Sequence, residues 1–315
     1  MALNEDVARL MELIGPNGPD SLLPETDSQA DLERALAALR QGHPPEPDEE
    51  GIESVDVPLP NGTYIRFYRA PGHPVQPVAL FLHGGGWVMG DMNSFDKFCR
   101  TMASRSGMII ASLAYRLAPE NPFPAALDDT EDAFHWIREH ATEFGGDPDR
   151  IVVMGSSAGG NLAASFAATH AGEPGLVLQV LIYPTLEPEL ETESMKRNAS
   201  GYYLTRRQVK WYWDQYLPDA AARNDPRAAP ARAKSLAGLP PAIVVTAEYD
   251  PLHDEGKVYA QRLASEGVPV SHFDFTGQIH GFMALVGLVP GVERQLNLVA
   301  DTIAEAVRSH HPVMA

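Results

Sequence analysis

The sequence predicts an α/β fold, a mostly parallel sheet covered on both faces by helices. Three observations carry that prediction. Apolar runs of strand length alternate with stretches of helical period, the order that parallel strands with crossover helices require. One such run, 151–154, passes through Gly155-Ser156-Ser157-Ala158-Gly159 straight into a helical stretch. Another, 78–82, ends on His83-Gly84-Gly85-Gly86-Trp87.

The elements follow in order. Residues 3–14 and 28–40 read as amphipathic helices, the second opened by Ser28 with Asp31 three residues later, a near-capping box. A Pro/Glu-rich linker comes next, His43-Pro44-Pro45-Glu46-Pro47-Asp48. Strand runs at 52–57 and 63–69 flank an Asn61-Gly62 turn, which predicts an antiparallel pair at the start of the sheet. Runs at 78–82, 108–113, 151–154, 177–182, 242–247 and 270–275 then alternate with helical stretches at 94–106, 125–140, 158–170, 254–266 and 291–309. Between Pro184 and Ala242 no strand is evident, and an aromatic helix occupies 204–216. An insertion of that length in a compact domain usually covers something. The expected organisation is a helical cap built from 1–45 and 187–225 over a catalytic domain of 46–186 and 226–315.

Composition narrows the function. The chain has 315 residues, 44% hydrophobic and 21% charged, so it is globular. A formal net charge of -18 argues against nucleic acid or an anionic membrane as partner. The one cysteine, Cys99, excludes an intrachain disulfide. The first residues have neither a basic nor an apolar leader segment, and no apolar run approaches the ~20 residues of a membrane helix. A cytoplasmic protein is expected.

The candidate site is read from residue types and their order. Ser157 on a sharp strand-to-helix turn is a nucleophile candidate, and the turn aims the Ala158 N–H at a substrate. Small residues suit such a turn, because side chains at 155 and 159 would collide with the adjoining strand and helix. Serine needs a base, and in this turn context the chain order is Ser, then Asp or Glu, then His. Asp250 follows the run 242–247 at the strand end where catalytic groups gather. Its rivals are Glu248 and Asp254, the latter reading as the N-cap of the next helix. Of 11 histidines, His280 alone stands in a loop after the last strand, downstream of the acid. Three successive glycines, Gly84, Gly85 and Gly86, cost backbone entropy and would let amides approach an oxyanion. His83 is expected to brace that loop. Trp87, Leu252, Phe282 and Met283 flank these segments as pocket-wall candidates; Trp211 and Tyr212 either line the pocket or pack the cap. Spacing of two sets Trp211 and Trp213 on different helical faces. His253-Asp254-Glu255 has no metal-ligand spacing, so no metal and no cofactor is expected.

Together, His83-Gly84-Gly85-Gly86-Trp87, Tyr115-Arg116-Leu117-Ala118-Pro119-Glu120, Phe123-Pro124-Ala125-Ala126-Leu127-Asp128-Asp129, Gly155-Ser156-Ser157-Ala158-Gly159-Gly160-Asn161-Leu162, Asp250-Pro251-Leu252 and His280-Gly281-Phe282 resemble the bacterial hormone-sensitive-lipase family of carboxylesterases. The resemblance runs from about residue 50 to the C-terminus. It implies an eight-stranded α/β-hydrolase core with a helical cap and a triad of Ser157, Asp250 and His280. It implies oxyanion donors at Gly85 and Gly86, with Gly84 a further candidate, and at Ala158. The implied partner is a small-molecule ester with a short to medium acyl chain, and a homodimer is the assembly it suggests. The Tyr115–Glu120 stretch resembles a structural segment of the family. One residue departs: the family mostly carries Asp or Thr where this chain has Ser156. An amidase or lactonase would use the same groups, and a non-catalytic receptor on this fold is the reading from another class.

Overall fold

The computed structural model describes residues 2–26, 28–42, 51–72 and 74–309. The linker at 43–48 and the 45/46 boundary therefore lie outside the described residues, as do His73, His310 and His311. The strands are β1 (Glu53–Pro58), β2 (Tyr64–Arg69), β3 (Gln76–Leu82), β4 (Ile109–Ala114), β5 (Gly146–Ser156), β6 (Leu176–Ile182), β7 (Ala242–Tyr249) and β8 (Val270–Ile279). The helices are α1 (Glu5–Ile14), α2 (Gln29–Leu39), α3 (Asp96–Ser106), α4 (Ala125–His140), α5 (Ala158–Thr169), α6 (Glu193–Arg197), α7 (Arg206–Tyr216), α8 (His253–Ser265) and α9 (Val292–Arg308).

The eight strands form one sheet in the order β1-β2-β4-β3-β5-β6-β7-β8. β2 pairs antiparallel with both β1 and β4, and every later pairing is parallel. Alternation along β3 shows why helices must cover both faces. Val78, Leu80 and Leu82 enter one buried cluster with Phe134 of α4, Leu162 and Phe166 of α5 and Leu263 of α8. Ala79 and Phe81 enter the other, with Met102 of α3 and Leu296 and Val299 of α9. A strand buried on both faces reads as a continuous apolar run, as 78–82 of β3 and 151–154 of β5 do, while the run in β6 is interrupted by the buried Gln179.

Two strands are longer than their apolar runs. β5 starts at Gly146 rather than at 151, because Gly146 pairs with Gln76 across a register shift and so extends the ladder through Pro148. β8 runs on to Ile279 because Tyr249 pairs with it after a shift at the end of β7. That extension delivers His280 to the carboxyl end of the sheet.

The N-terminal segment and the insertion meet above that end. Tyr203 donates its N–H to the Pro16 carbonyl at 2.8 Å, and the Thr205 hydroxyl donates to Asp20 Oδ1 at 2.6 Å. α7 begins on a complete capping box between Thr205 and Gln208. α2 ends on Arg40, whose guanidinium donates to the Val88 and Ala118 carbonyls and pairs with Glu120. The insertion thus contains two helices, where its sequence pattern shows only the second. No helix among the described residues is long and apolar enough to cross a membrane.

Candidate active site

Ser157 stands between β5 and α5 with φ 55°, a backbone region that serine rarely occupies. The turn closes because its neighbours lack side chains. A Cβ at Gly155 would lie 2.1 Å from the Gly159 carbonyl oxygen, and one at Gly159 would lie 1.9 Å from the Leu82 oxygen. The strained turn lifts Ser157 Oγ to 2.9 Å from His280 Nε2. His280 Nδ1 lies 2.7 Å from Asp250 Oδ2. A carboxylate accepts only, so Nδ1 holds the proton and Nε2 turns its lone pair toward the serine hydroxyl.

The acid is fixed from several sides. Asp250 is fully buried. The Leu252 N–H donates to its Oδ1 at 2.8 Å, and the Asn198 amide donates to its carbonyl at 3.1 Å. The Tyr183 ring stands edge-on to the His280 imidazole, centroids 4.9 Å apart, which limits ring rotation. Glu248 instead accepts the Gly277 N–H at 2.8 Å. Asp254 is not the N-cap expected from sequence: that position is Leu252, and Asp254 lies in the first turn, where its Oδ2 accepts the Ser194 N–H. Behind the acid, Glu255 accepts the Leu186 N–H at 3.0 Å, and burial pushes its carboxyl well above the usual range.

The glycine run after β3 lies across from Ser157. The N–H groups of Gly85, Gly86 and Ala158 donate to no protein acceptor among the described residues. For Ala158 the reason is general: the first amides of a helix have no intrahelical partner. Gly85 turns the loop by accepting from the Val88 and Met89 amides at 3.1 and 2.9 Å. His83 buttresses it. Its Nδ1 donates to the Gly84 carbonyl at 2.8 Å, and its ring stacks on Tyr115 at 4.2 Å. The Tyr115 hydroxyl donates to the His83 carbonyl at 2.8 Å. Burial pushes the His83 imidazole down to about 4.

A cavity of about 560 Å³ opens onto Ser157, His280 and the glycine run. Its lining is mostly apolar: Leu10 and Ile14 from α1, Tyr203, Val209 and Tyr212 from the insertion, Leu285 from the loop after His280. Trp87, Leu252, Gly84, Gly85 and Gly86 also reach it. Three expected wall residues do not. Phe282 and Met283 turn inward and are fully buried in the core beneath, because the chain coils tightly after His280. Trp211 sits on the outer side of α7 against Tyr212, and Trp213 takes the inner position, tilted against Trp87 with ring centroids 4.6 Å apart. Leu10 and Ile14 were not singled out from sequence, although they stand one helical turn apart and border the face that buries Val7 and Met11. Ser156, the departure from the family pattern, is buried and also lines the cavity, and its Oγ has no hydrogen-bond partner among the described residues.

A family model described as alpha/beta hydrolase fold matches residues 79–284. The ethyl acetate hydrolase of Pseudomonas putida is 34% identical over 316 residues, covering 97% of this chain and 99% of that protein. The carboxylic ester hydrolase LipN of Mycobacterium tuberculosis is 39% identical over 268 residues, 82% of this chain and 70% of LipN. Among solved structures, a thermostable esterase from Pseudomonas putida superposes with a TM-score of 0.85 at 34% identity, covering 97% of this chain and 98% of that one.

Proposed function

The chain belongs to the hormone-sensitive-lipase-like carboxylesterases of the alpha/beta hydrolase superfamily, and we propose that it cleaves small carboxylic esters through Ser157, His280 and Asp250. The observation that carries this reading is the relay from Ser157 Oγ to His280 at 2.9 Å and on to Asp250 at 2.7 Å, facing unbonded amides.

In the proposed reaction His280 Nε2 takes the hydroxyl proton as Ser157 Oγ bonds to the ester carbonyl carbon. The carbonyl electrons move to oxygen, and the Gly85, Gly86 and Ala158 amides receive that charge. One such donor typically contributes ~10²–10³ in rate. Asp250 holds the imidazole tautomer and stabilises the imidazolium. The intermediate collapses, and the alcohol leaves with the proton from His280. Water then attacks the acyl-enzyme by the same path and releases the acid.

The cavity supports a short to medium acyl chain, since its apolar walls are closed over by α1, α7 and the loop after His280. We assign residues 1–45 and 187–225 the role of a cap, supported by the hydrogen bonds that join Pro16 and Asp20 to Tyr203 and Thr205. The acidic charge and single cysteine support a cytoplasmic setting. A panel of p-nitrophenyl esters of increasing chain length, with an anilide and a lactone of matched size, tests the reading. Highest kcat/KM on a short- or medium-chain ester is expected. A preference for the anilide or the lactone would reassign the reaction, and tight binding without turnover would make the protein a receptor.

A further inference from the structure

Away from the site just described, α4 and α5 bring three ligand-type side chains to one place. Glu131 and His135 stand one turn apart on α4, and His170 caps the C-terminus of α5. One ligand atom from each lies within 4.8 Å of the other two. His170 is far from Glu131 and His135 in sequence and only the fold assembles the three, so the sequence pattern that predicts no metal does not contain this trio. From this convergence we propose that Glu131, His135 and His170 form a binding site for a divalent borderline metal ion such as Zn²⁺.

The His170 ring stacks on Phe166 at 4.2 Å, and its side chain is 16% exposed. Nδ1 lies 3.1 Å from the Phe166 carbonyl oxygen and 2.9 Å from the Thr169 hydroxyl, which gives its own proton to the Ser165 carbonyl at 2.9 Å; with both oxygens accepting, Nδ1 carries the proton. A carbonyl that takes the far ring proton is the usual outer partner of a metal-bound histidine, and it leaves Nε2 with a free lone pair. That lone pair faces Glu131 Oε1 at 3.4 Å. Two electron pairs aimed at each other need a cation between them. A proton on His170 would serve that one pair, and would leave the third donor, His135, unused. The His135 ring meets the His170 ring edge-on, centroids 6.1 Å apart. A metal ion serves all three.

Two imidazoles and one carboxylate are a donor set for zinc, with water completing a tetrahedron. Metal–ligand bonds of ~2.0–2.1 Å set ligand atoms roughly 3.4 Å apart, and donors within 4.8 Å of one another reach that spacing by closing at most roughly 1.4 Å. Glu131 Oε1 and His170 Nε2 already stand 3.4 Å apart, so the movement falls to His135, which is half-buried. Arg138, three residues on from His135 in α4, is paired with Glu173 at 3.2 Å. Bound metal would tie the end of α5 to α4. α5 is 12 residues long, so this end is roughly 18 Å from Ser157, and the predicted effect is on stability rather than catalysis.

The test uses the full chain, stripped with EDTA and titrated with Zn²⁺ by calorimetry and by thermal unfolding. The proposal predicts one tight site per chain and a melting midpoint that rises with Zn²⁺. Glu131→Gln, His135→Gln and His170→Gln are each expected to weaken binding at least ~10-fold, because even loss of an outer partner costs that much. Ester hydrolysis is expected to be equal in the stripped and loaded protein. No midpoint shift in the wild type would overturn the site, as would binding undiminished in the variants. A midpoint lowered by His170→Gln equally with and without Zn²⁺ would show a His170–Glu131 ion pair only, which also overturns it.

Discussion

The Tyr212 ring lies directly over Gly86, so that a Cβ at 86 would stand 2.3 Å from Tyr212 Cγ. Gly86 also has φ 60°, where a side chain adds strain. The glycine is therefore the point at which the insertion closes on the loop that faces Ser157. Gly86→Ala must push either the loop or α7 away. We predict a fall in kcat/KM of ~10²–10³, the loss of one oxyanion donor, with the melting midpoint moved by only a few degrees. Steady-state kinetics beside thermal unfolding checks this; near-wild-type kinetics would remove Gly86 from the oxyanion site.

The buried His83 links the loop to pH. Burial lowers its imidazole from the ordinary 6.5 to about 4. The unfolded chain takes up a proton below about 6.5 and the folded chain does not until about 4. Stability is therefore lost as pH falls through that window, by up to ~3 kcal/mol at ~1.36 kcal/mol per unit. His83→Asn removes this titration. Urea midpoints measured from pH 7 to pH 4 are expected to fall less steeply in the variant than in the wild type, whatever their absolute values.

Ser156 is a buried hydroxyl with no partner among the described residues. Removing an unsatisfied polar group relieves its desolvation cost. Ser156→Ala is predicted to be neutral or stabilising, within about 1 kcal/mol, and to keep kcat/KM within a few-fold. Loss of most activity would mean that Ser156 binds substrate.

Much of this architecture is legible in the sequence because its signals are short-range. A strand reads from a few apolar residues, and the turn at Ser157 reads from two glycines whose absent side chains the fold requires. Order and strand end alone single out Asp250 and His280, the two residues that the fold joins at 2.7 Å. The pocket wall is not legible in that way. Whether Phe282 faces the cavity or the core depends on how the chain coils after His280, and whether Trp211 or Trp213 faces inward depends on how α7 docks. Leu10 and Leu285 line the same cavity from opposite ends of the chain. Glu131, His135 and His170 likewise meet only because α4 and α5 pack together.

Wall residues distant in sequence can still be tested one at a time. Leu285 is half-buried at the cavity wall. Leu285→Trp fills space there, and one methylene in an apolar pocket is worth ~1–3 kcal/mol. The acyl-length profile is expected to shift toward acetate, with longer chains losing ~10-fold or more relative to it. An unshifted profile would place the acyl chain elsewhere in the cavity.

Everything proposed for this site depends on Ser157 as the nucleophile of an ester hydrolase. The most direct test of that role is the turnover of a short-chain p-nitrophenyl ester by Ser157→Ala, with circular dichroism and the melting midpoint recorded on the same preparation. The expected result is a folded protein whose kcat falls by several orders of magnitude, to the residual rate that binding and the amides alone sustain. A folded variant that hydrolyses the ester at near the wild-type rate would contradict it.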